Sequence, residues 1–384
     1  MEVLLVNTGV LPIPPETSAG AEYHIYHLAN HIAKYGIRVH LISDIKRGFF
    51  FHPNIKIYNY HLHYHPPIND FSGWLQSHII GGVNSSIKYL EILPKISPDL
   101  IHIHGRLAAR VISMLNTNKP LIYTLHDQSP FSGAFKGLQR FIRVIAYLTM
   151  EYKIIYNVDH IIAVSRQIYN ELVDWARIPN EKVSYVPNGV DTNYFKPSKD
   201  KKPFILFVGR LTKRKGADIL IKAFARVSNK LTEYKLIIVG DGEEKTKLKN
   251  LVKKLNIENY VSFMSNIPMS LLREIYAKAS IFVLPSRGEG FPLSLLEAMS
   301  SGCAVIATKI SGVVDVIDNG KNGLLVKPGD ERDLSQTLEF LLSDGSLIKK
   351  LANNARKLVE RKYNWDIIAK KTIKIYKNIK IKFL

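Results

Sequence analysis

The sequence is poor in thiols, in long apolar runs and, past its first 160 residues, in histidine. Its one cysteine, Cys303, excludes an intrachain disulfide and fits a reducing compartment. No apolar run approaches the roughly 18 to 20 residues that a membrane-spanning helix needs. The start, MEVLLVNTGVLPIPP, has neither a basic leader nor an apolar stretch of signal-peptide length. A cytoplasmic protein is expected, with peripheral contact at the inner membrane face still allowed. Acids are scarce as well: 33 Asp and Glu stand against 53 Lys and Arg, a formal net charge of +20.

That charge is unevenly placed. Residues 1–190 hold 17 basic against 13 acidic residues, whereas residues 191–384 hold 36 against 20. The stretch from Ser346 to Leu384 alone has 12 against 2. One reading is attraction to a polyanion or an anionic membrane. The other, which we favour, is a lysine-rich composition bias spread over solvated faces. At 384 residues, 46% of them hydrophobic, the chain can bury more than one core, and wholesale disorder is excluded.

Short β-rich runs alternate with amphipathic helices, the pattern of parallel sheets covered on both sides. The first half offers EVLLVN, RVHLIS, LIHIH, LIYTLH, HIIAVS and VSYVP; the second offers FILFVG, KLIIVG, VSFM, IFVLPS and AVIAT. A first helix with Ile25, Leu28, Ala29, Ile32 and Ala33 on one stripe should stop at Gly36. PNGVDTNYFKPSKDKKP, rich in Pro, Asn, Gly and Lys, reads as a linker. The domains expected are therefore residues 1–187, a hinge over 188–203, residues 204–362, and a basic terminal helix over 363–384 that turns back towards the first domain. Two doubly wound α/β domains follow, with ligands at the carboxyl ends of their strands in a cleft between them.

Two strand–loop–helix turns in the second half carry chemistry. GRLTKRKG, Gly209–Gly216, places Arg210, Lys213, Arg214 and Lys215 before a helix, and free N–H groups plus cations suit phosphate. No Walker-type Gly-Lys-Ser/Thr accompanies them. In SRGEGFPLSLLEAMSSG, Pro292 suits the first helical position, leaving the Gly290 and Phe291 N–H groups to face a ligand. Glu289 precedes that helix, and Glu297 lies five residues beyond Pro292. Carboxylates that accept hydrogen bonds, flanking a phosphate loop, suit the hydroxyls at either end of a nucleotide sugar.

These residues match a family. GRLTKRKG, EGFPLSLLEAM, PNGVD, HIIAVS and LHD together resemble the retaining glycosyltransferases of family 4, over essentially the whole chain. The resemblance implies the GT-B architecture, two facing Rossmann-like domains with an interdomain cleft, closing about a hinge near Asn188–Gly189. It implies a nucleotide-diphosphate sugar, UDP- or GDP-linked, as donor and a glycan or lipid-linked glycan as acceptor. Glu297 would hold the ribose hydroxyls and Glu289 the hexose hydroxyls, with Gly290, Phe291 and Pro292 lining the sugar pocket. Arg210 and Lys215 would neutralise the departing diphosphate in place of a divalent cation, so neither metal nor other cofactor is expected. His126 would face the anomeric centre, and Gly20 would bring backbone close to the donor phosphate. Where the family usually has Gly-Gly, this chain has Ala19–Gly20, and SGVVD, Ser311–Asp315, departs from the family's Gly-Gly and Glu.

The other histidines read more plainly. His24, His27 and His31 share a helical face that imitates a metal site, though a polar stripe beside the core is the better reading. His102 and His104 are expected on opposite faces of their strand, with His104 able to meet an acceptor. Cys303 reads as a core residue, GDG (Gly240–Gly242) as a tight turn, and Phe135–Tyr156 as a packed helix in preference to a membrane-lying one. Two rival functions are an epimerase or sugar phosphorylase on the same architecture, and a non-catalytic polyanion-binding protein. No nucleic-acid motif supports the last, and no nucleic-acid partner is expected.

Overall fold

The structure, a computed structural model, describes residues 1–7, 13, 20–45, 49–60, 71–115, 117–126, 151–228 and 233–383. Phe135–Met150, Asp127 and residues 8–12, 14–19 and 61–70 are among those that lie outside the described residues. The chain forms two compact units: Met1–Asn188 with Trp365–Leu384, and Gly189–Asn364.

The first unit is built on seven parallel strands: β1 Glu2–Asn7, β2 Arg38–Ser43, β3 Ile55–Asn59, β4 Leu100–His104, β5 Leu121–Leu125, β6 His160–Ala163 and β7 Val183–Tyr185. Their order is β3-β2-β1-β4-β5-β6-β7. Central strands such as β1 are buried on both faces, so they read as unbroken apolar runs. Edge strand β3 alternates instead and stays half-exposed; the sequence reading did not include it. The first helix, Gly20–Lys34, buries the expected stripe. It stops where the Gly36 N–H bonds the Ala33 carbonyl at 3.1 Å, with Gly36 at φ +78°.

Against that helix lies the terminal helix, Trp365–Lys382. Trp365, Ile368, Ala369, Ile373, Tyr376 and Ile379 join Ile25, Leu28 and Ile32 in one core, with Ile375 partly buried beside it. The apolar stripe of the basic tail is thus covered by protein. No helix among the described residues is long and apolar enough to cross a membrane.

The second unit has six parallel strands: β8 Lys202–Val208, β9 Lys235–Val239, β10 Val261–Met264, β11 Ala279–Leu284, β12 Ala304–Thr308 and β13 Leu324–Val326. Their order is β10-β9-β8-β11-β12-β13. Both sheets therefore follow the 3-2-1-4-5-6 order of dinucleotide-binding folds, as the sequence led us to expect of doubly wound domains. The order reverses between β1 and β4, and again between β8 and β11. Loops leaving the two central strands at such a point diverge, and the crevice they leave is where these folds take ligands.

Residues 189–201 are anchored rather than loose. Val190 donates to the Tyr363 carbonyl at 2.8 Å, and Phe195 is buried. The Arg356 guanidinium, on helix Gly345–Lys362, bonds the carbonyls of Phe195 (2.7 Å), Thr192 (2.9 Å) and Ser300, and the Ser300 hydroxyl at 2.9 Å. It closes the segment onto two helices. Removing it strands several buried carbonyls, each worth about 1 to 3 kcal/mol when left unpaired. Arg356→Ala should lower the denaturant stability of the second unit by about 3 kcal/mol. Arg356→Lys should recover only part of this, since an ammonium cannot reproduce the guanidinium fork.

Candidate active site

The loop after β8 runs Gly209–Gly216, with a tight turn at Lys213–Lys215 and Gly216 as cap of helix Ala217–Val227. Gly216 sits at φ +71°, and a Cβ there would lie 2.1 Å from the Pro285 carbonyl oxygen. Only glycine lets the first loop come so close to the loop after β11. The second loop, Pro285–Pro292, is pressed from its other side by Gly312, at φ +72°, where a Cβ would meet the Gly290 carbonyl at 2.1 Å. This close approach is what the SGVVD segment does.

Side chains then zip the two loops together. Arg287 forks onto Asp218 at 2.8 and 3.0 Å and also bonds the Lys213 carbonyl. Its N–H donates to the Arg214 carbonyl at 2.7 Å, while the Arg214 guanidinium donates to the Gly288 carbonyl at 3.2 Å. At the centre, Glu289 is 4% exposed. Its Oε1 accepts from Lys215 Nζ at 2.6 Å and from the Ser286 hydroxyl at 2.6 Å, and Arg214 stands 3.8 Å from Oε2. Burial pushes the Glu289 carboxyl up, but Lys215, Arg214 and Ser286 together bring it below the usual range. Burial lowers Lys215 in turn, with Glu289 opposing. Arg210 is exposed on the same loop.

Beyond Gly290 and the buried Phe291, the helix spans Leu293–Ser300. Pro292 is its cap, one residue earlier than the first helical position expected, because its ψ of 113° is extended. Glu297 lies in the helix's second turn, only partly exposed. Burial raises its carboxyl to about 7, and the Tyr276 phenol opposes the shift. The two acids thus differ in kind: one is held ionised by cations, while the other is poised near neutrality.

In the first unit, Gly20 opens the first helix and is exposed. His104 ends β4 and His126 directly follows β5; His104 Nδ1 and His126 Nε2 are 3.1 Å apart. His24 joins them from the first helix, and one ligand atom from each of the three lies within 4.8 Å of the others. Burial, then neighbouring histidines, hold His24 and His104 well below the usual imidazole value. All three histidines of the helical face pack on Trp365, His24 edge-on at 5.3 Å, His27 stacked at 5.4 Å and His31 tilted at 6.3 Å, and of the three only His24 also lies with His104 and His126. His102 and His104 are on the same face, ring centroids 4.1 Å apart, not on opposite faces as expected. Residues two apart on a strand share a side. His102 is fully occupied by Tyr376 at 2.6 Å and Thr124 at 2.7 Å.

Residues 191–358 match the family described as Glycosyl transferases group 1, and residues 18–194 match Glycosyltransferase Family 4. A glycosyltransferase of Methanocaldococcus jannaschii is 30% identical over 309 residues, covering 76% of this chain and 78% of the relative. The chain belongs to the group 1 glycosyltransferases of family 4.

This glycosyltransferase is also 27% identical to a D-inositol 3-phosphate glycosyltransferase of Catenulispora acidiphila, covering 97% of this chain and 93% of that one. Its fold is GT-B. It matches sucrose-phosphate synthase from Thermosynechococcus elongatus with a TM-score of 0.84 at 24% identity, covering 98% of each chain. It matches Anabaena HepE, solved with UDP and glucose, at 0.71 and 21%, covering 98% of this chain and 100% of that one.

Of the residues singled out from the sequence, the structure of the glycosyltransferase brings Lys215 against Glu289 and His104 against His126. Ser286, Arg287 with Asp218, and Tyr276 were missed, and His24 was grouped with His27 and His31 rather than with His104 and His126. Arg287 and Ser286 lie inside the quoted SRGEG stretch and were legible as neighbours of Glu289; Tyr276 and Asp218 carried no local signal. If Lys215 is what keeps Glu289 ionised, Lys215→Met leaves a buried carboxylate short of its main partner. The carboxyl then titrates higher, so the penalty is present above that raised value and shrinks as pH falls through it. Denaturant melts should show a loss of about 3 kcal/mol at pH 8 and a clearly smaller one at pH 5.

Proposed function

We propose that this chain is a retaining, metal-independent hexosyltransferase, taking a UDP- or GDP-linked hexose and passing it to a glycan or lipid-linked glycan at the cytoplasmic face of a membrane. The observation that carries the reading is the Lys215–Glu289 contact, 2.6 Å long and buried at the switch point. A phosphate alone that recruits Lys215 leaves Glu289 buried and under-paired. A ligand with phosphates on one side and hydroxyls on the other satisfies both, because sugar hydroxyls donate where the ammonium did. Anabaena HepE, a protein of this fold, was solved with UDP and glucose, a nucleoside diphosphate and a hexose.

In this reading Arg210 and Lys215 face the diphosphate, Glu289 and the Gly290–Phe291–Pro292 backbone face the hexose, and Glu297 accepts from the ribose. Gly20 lets backbone approach the phosphate, His126 faces the anomeric carbon, and His104 faces the acceptor. As the bond from the anomeric carbon to the phosphate oxygen breaks, the transition state becomes oxocarbenium-like. The acceptor oxygen bonds that carbon from the same face, and its proton passes to the departing phosphate. Negative charge grows on the diphosphate, so fixed cations there lower the barrier.

Arg210 is exposed, so its loss should leave the unfolding midpoint unchanged. Arg210→Ala should reduce kcat by about 10²- to 10³-fold, measured as sugar transfer with and without acceptor; turnover near the parent value would overturn the role. Product formed without acceptor would indicate epimerisation instead. A thermal-shift panel of nucleotide sugars identifies the donor by mass action. Glu297 adds a pH signature. Its ionised form is the better acceptor and dominates above about 7, so nucleoside-diphosphate affinity should rise by up to about tenfold from pH 6 to pH 8. In Glu297→Gln this component of the profile should be lost.

A further inference from the structure

We propose that a cavity beside β7 is a binding site for a phosphate group carried on a hydroxyl-bearing ligand. This goes beyond the proposed transfer reaction and does not rest on it. The cavity has a volume of about 530 Å³ and lies within the first unit, between helix Arg166–Asn170, β7 and the terminal helix. That volume is in the range of small-ligand sites. β7 is the outer strand of its sheet. At about 4.8 Å per strand, it stands roughly 10 Å from β5 and about 14 Å from β4, the strands that lead to His126 and His104.

The charge of this cavity is of one sign. Arg166, Lys371 and Lys374 line it, and no acidic residue does. The terminal helix lays its apolar stripe against the first helix, which leaves Lys371 and Lys374 exposed. Residues three apart on a helix have Cβ atoms about 5 to 6 Å from each other, and like charges at that spacing repel. Arg166 adds a third positive charge from a different element, so an anion among the three relieves their repulsion. The Arg166 guanidinium lies over the Tyr185 ring, 5.3 Å from its centre, an arrangement that favours one orientation of its fork. That fork matches a pair of phosphate oxygens. None of the three needs to be unpaired: a guanidinium has five donors and an ammonium three, so an existing partner leaves others for a ligand. The rest of the wall includes two placed hydroxyls. Ser184 Oγ is 2.8 Å from His160 Nε2, and the Tyr169 hydroxyl donates to Asn180 Oδ1 at 3.2 Å. Hydroxyls keep further donor or acceptor capacity and suit the hydroxyls of a polyol. A sugar phosphate has both parts, and so does the headgroup of a glycerol-bearing phospholipid.

The test titrates the full chain with glucose 6-phosphate in a calorimeter, with glucose as the blank, and floats it with phosphatidylglycerol vesicles, with phosphatidylcholine alone as the blank. The double variant Lys371→Ala/Lys374→Ala should weaken binding by at least about tenfold; both positions are exposed, so its unfolding midpoint should match the parent's. Lys249→Ala/Lys253→Ala removes as much charge from exposed positions elsewhere and should bind as the parent does. Binding should also survive in Arg210→Ala, which separates this cavity from the loop after β8. Vesicle capture that falls in Lys371→Ala/Lys374→Ala identifies a lipid headgroup as the source of the phosphate; binding of glucose 6-phosphate without capture identifies a soluble ligand. The proposal is overturned if the parent binds neither probe, if Lys371→Ala/Lys374→Ala binds as tightly as the parent, or if Lys249→Ala/Lys253→Ala or Arg210→Ala loses as much.

Discussion

The second unit's chemistry depends on one contact, the ion pair between Lys215 and Glu289 across two loops that leave neighbouring strands on either side of a reversal in sheet order. A buried ion pair is a weak source of net stability, because desolvation offsets attraction, yet removing one partner is expensive. Its effect is to fix geometry. Gly216 and Gly312 let backbones approach where no side chain fits. Arg287 on Asp218 then locks the loops, and cation and acceptor stand in place before any ligand arrives. Preorganisation of this kind is what makes electrostatic stabilisation of a developing charge effective.

Around that contact, the two glutamates that looked redundant in the sequence become distinct. Glu289 sits among cations and is held below its ordinary range; Glu297 has no such cations, and burial lifts it to about 7 against the opposing Tyr276 phenol. One acid therefore needs a replacement donor whenever Lys215 is drawn away, while the other changes state near neutral pH. Such divergent environments for paired carboxyls are characteristic of functional sites.

Much of the fold was legible. Strands buried on both faces, such as β1, β4 and β11, appear as short unbroken apolar runs, and the first helix carries its stripe and its glycine stop. What escaped was β3, an edge strand whose exposed alternation resembles loop, and β13, three residues long. The site was legible as two loops but not as a contact. Lys215 and Glu289 are 74 positions apart, and only strand order, which no local pattern encodes, makes the loops neighbours. The misplacement of His102 and His104 had another origin: the two-residue period itself puts them on one face. The histidine trio was hidden because its members come from a helix and two strand ends, while the helical spacing of His24, His27 and His31 suggested a different grouping that Trp365 takes up instead.

The central claim is that the loops after β8 and β11 form the donor site, with a diphosphate drawing Lys215 and sugar hydroxyls taking its place on Glu289. A crystal structure of the full chain with an intact nucleotide sugar tests it most directly. The account predicts phosphate oxygens against Arg210 and Lys215, and hexose hydroxyls within hydrogen-bond distance of Glu289. Phosphates bound away from both loops, with the Lys215–Glu289 pair undisturbed, would contradict it.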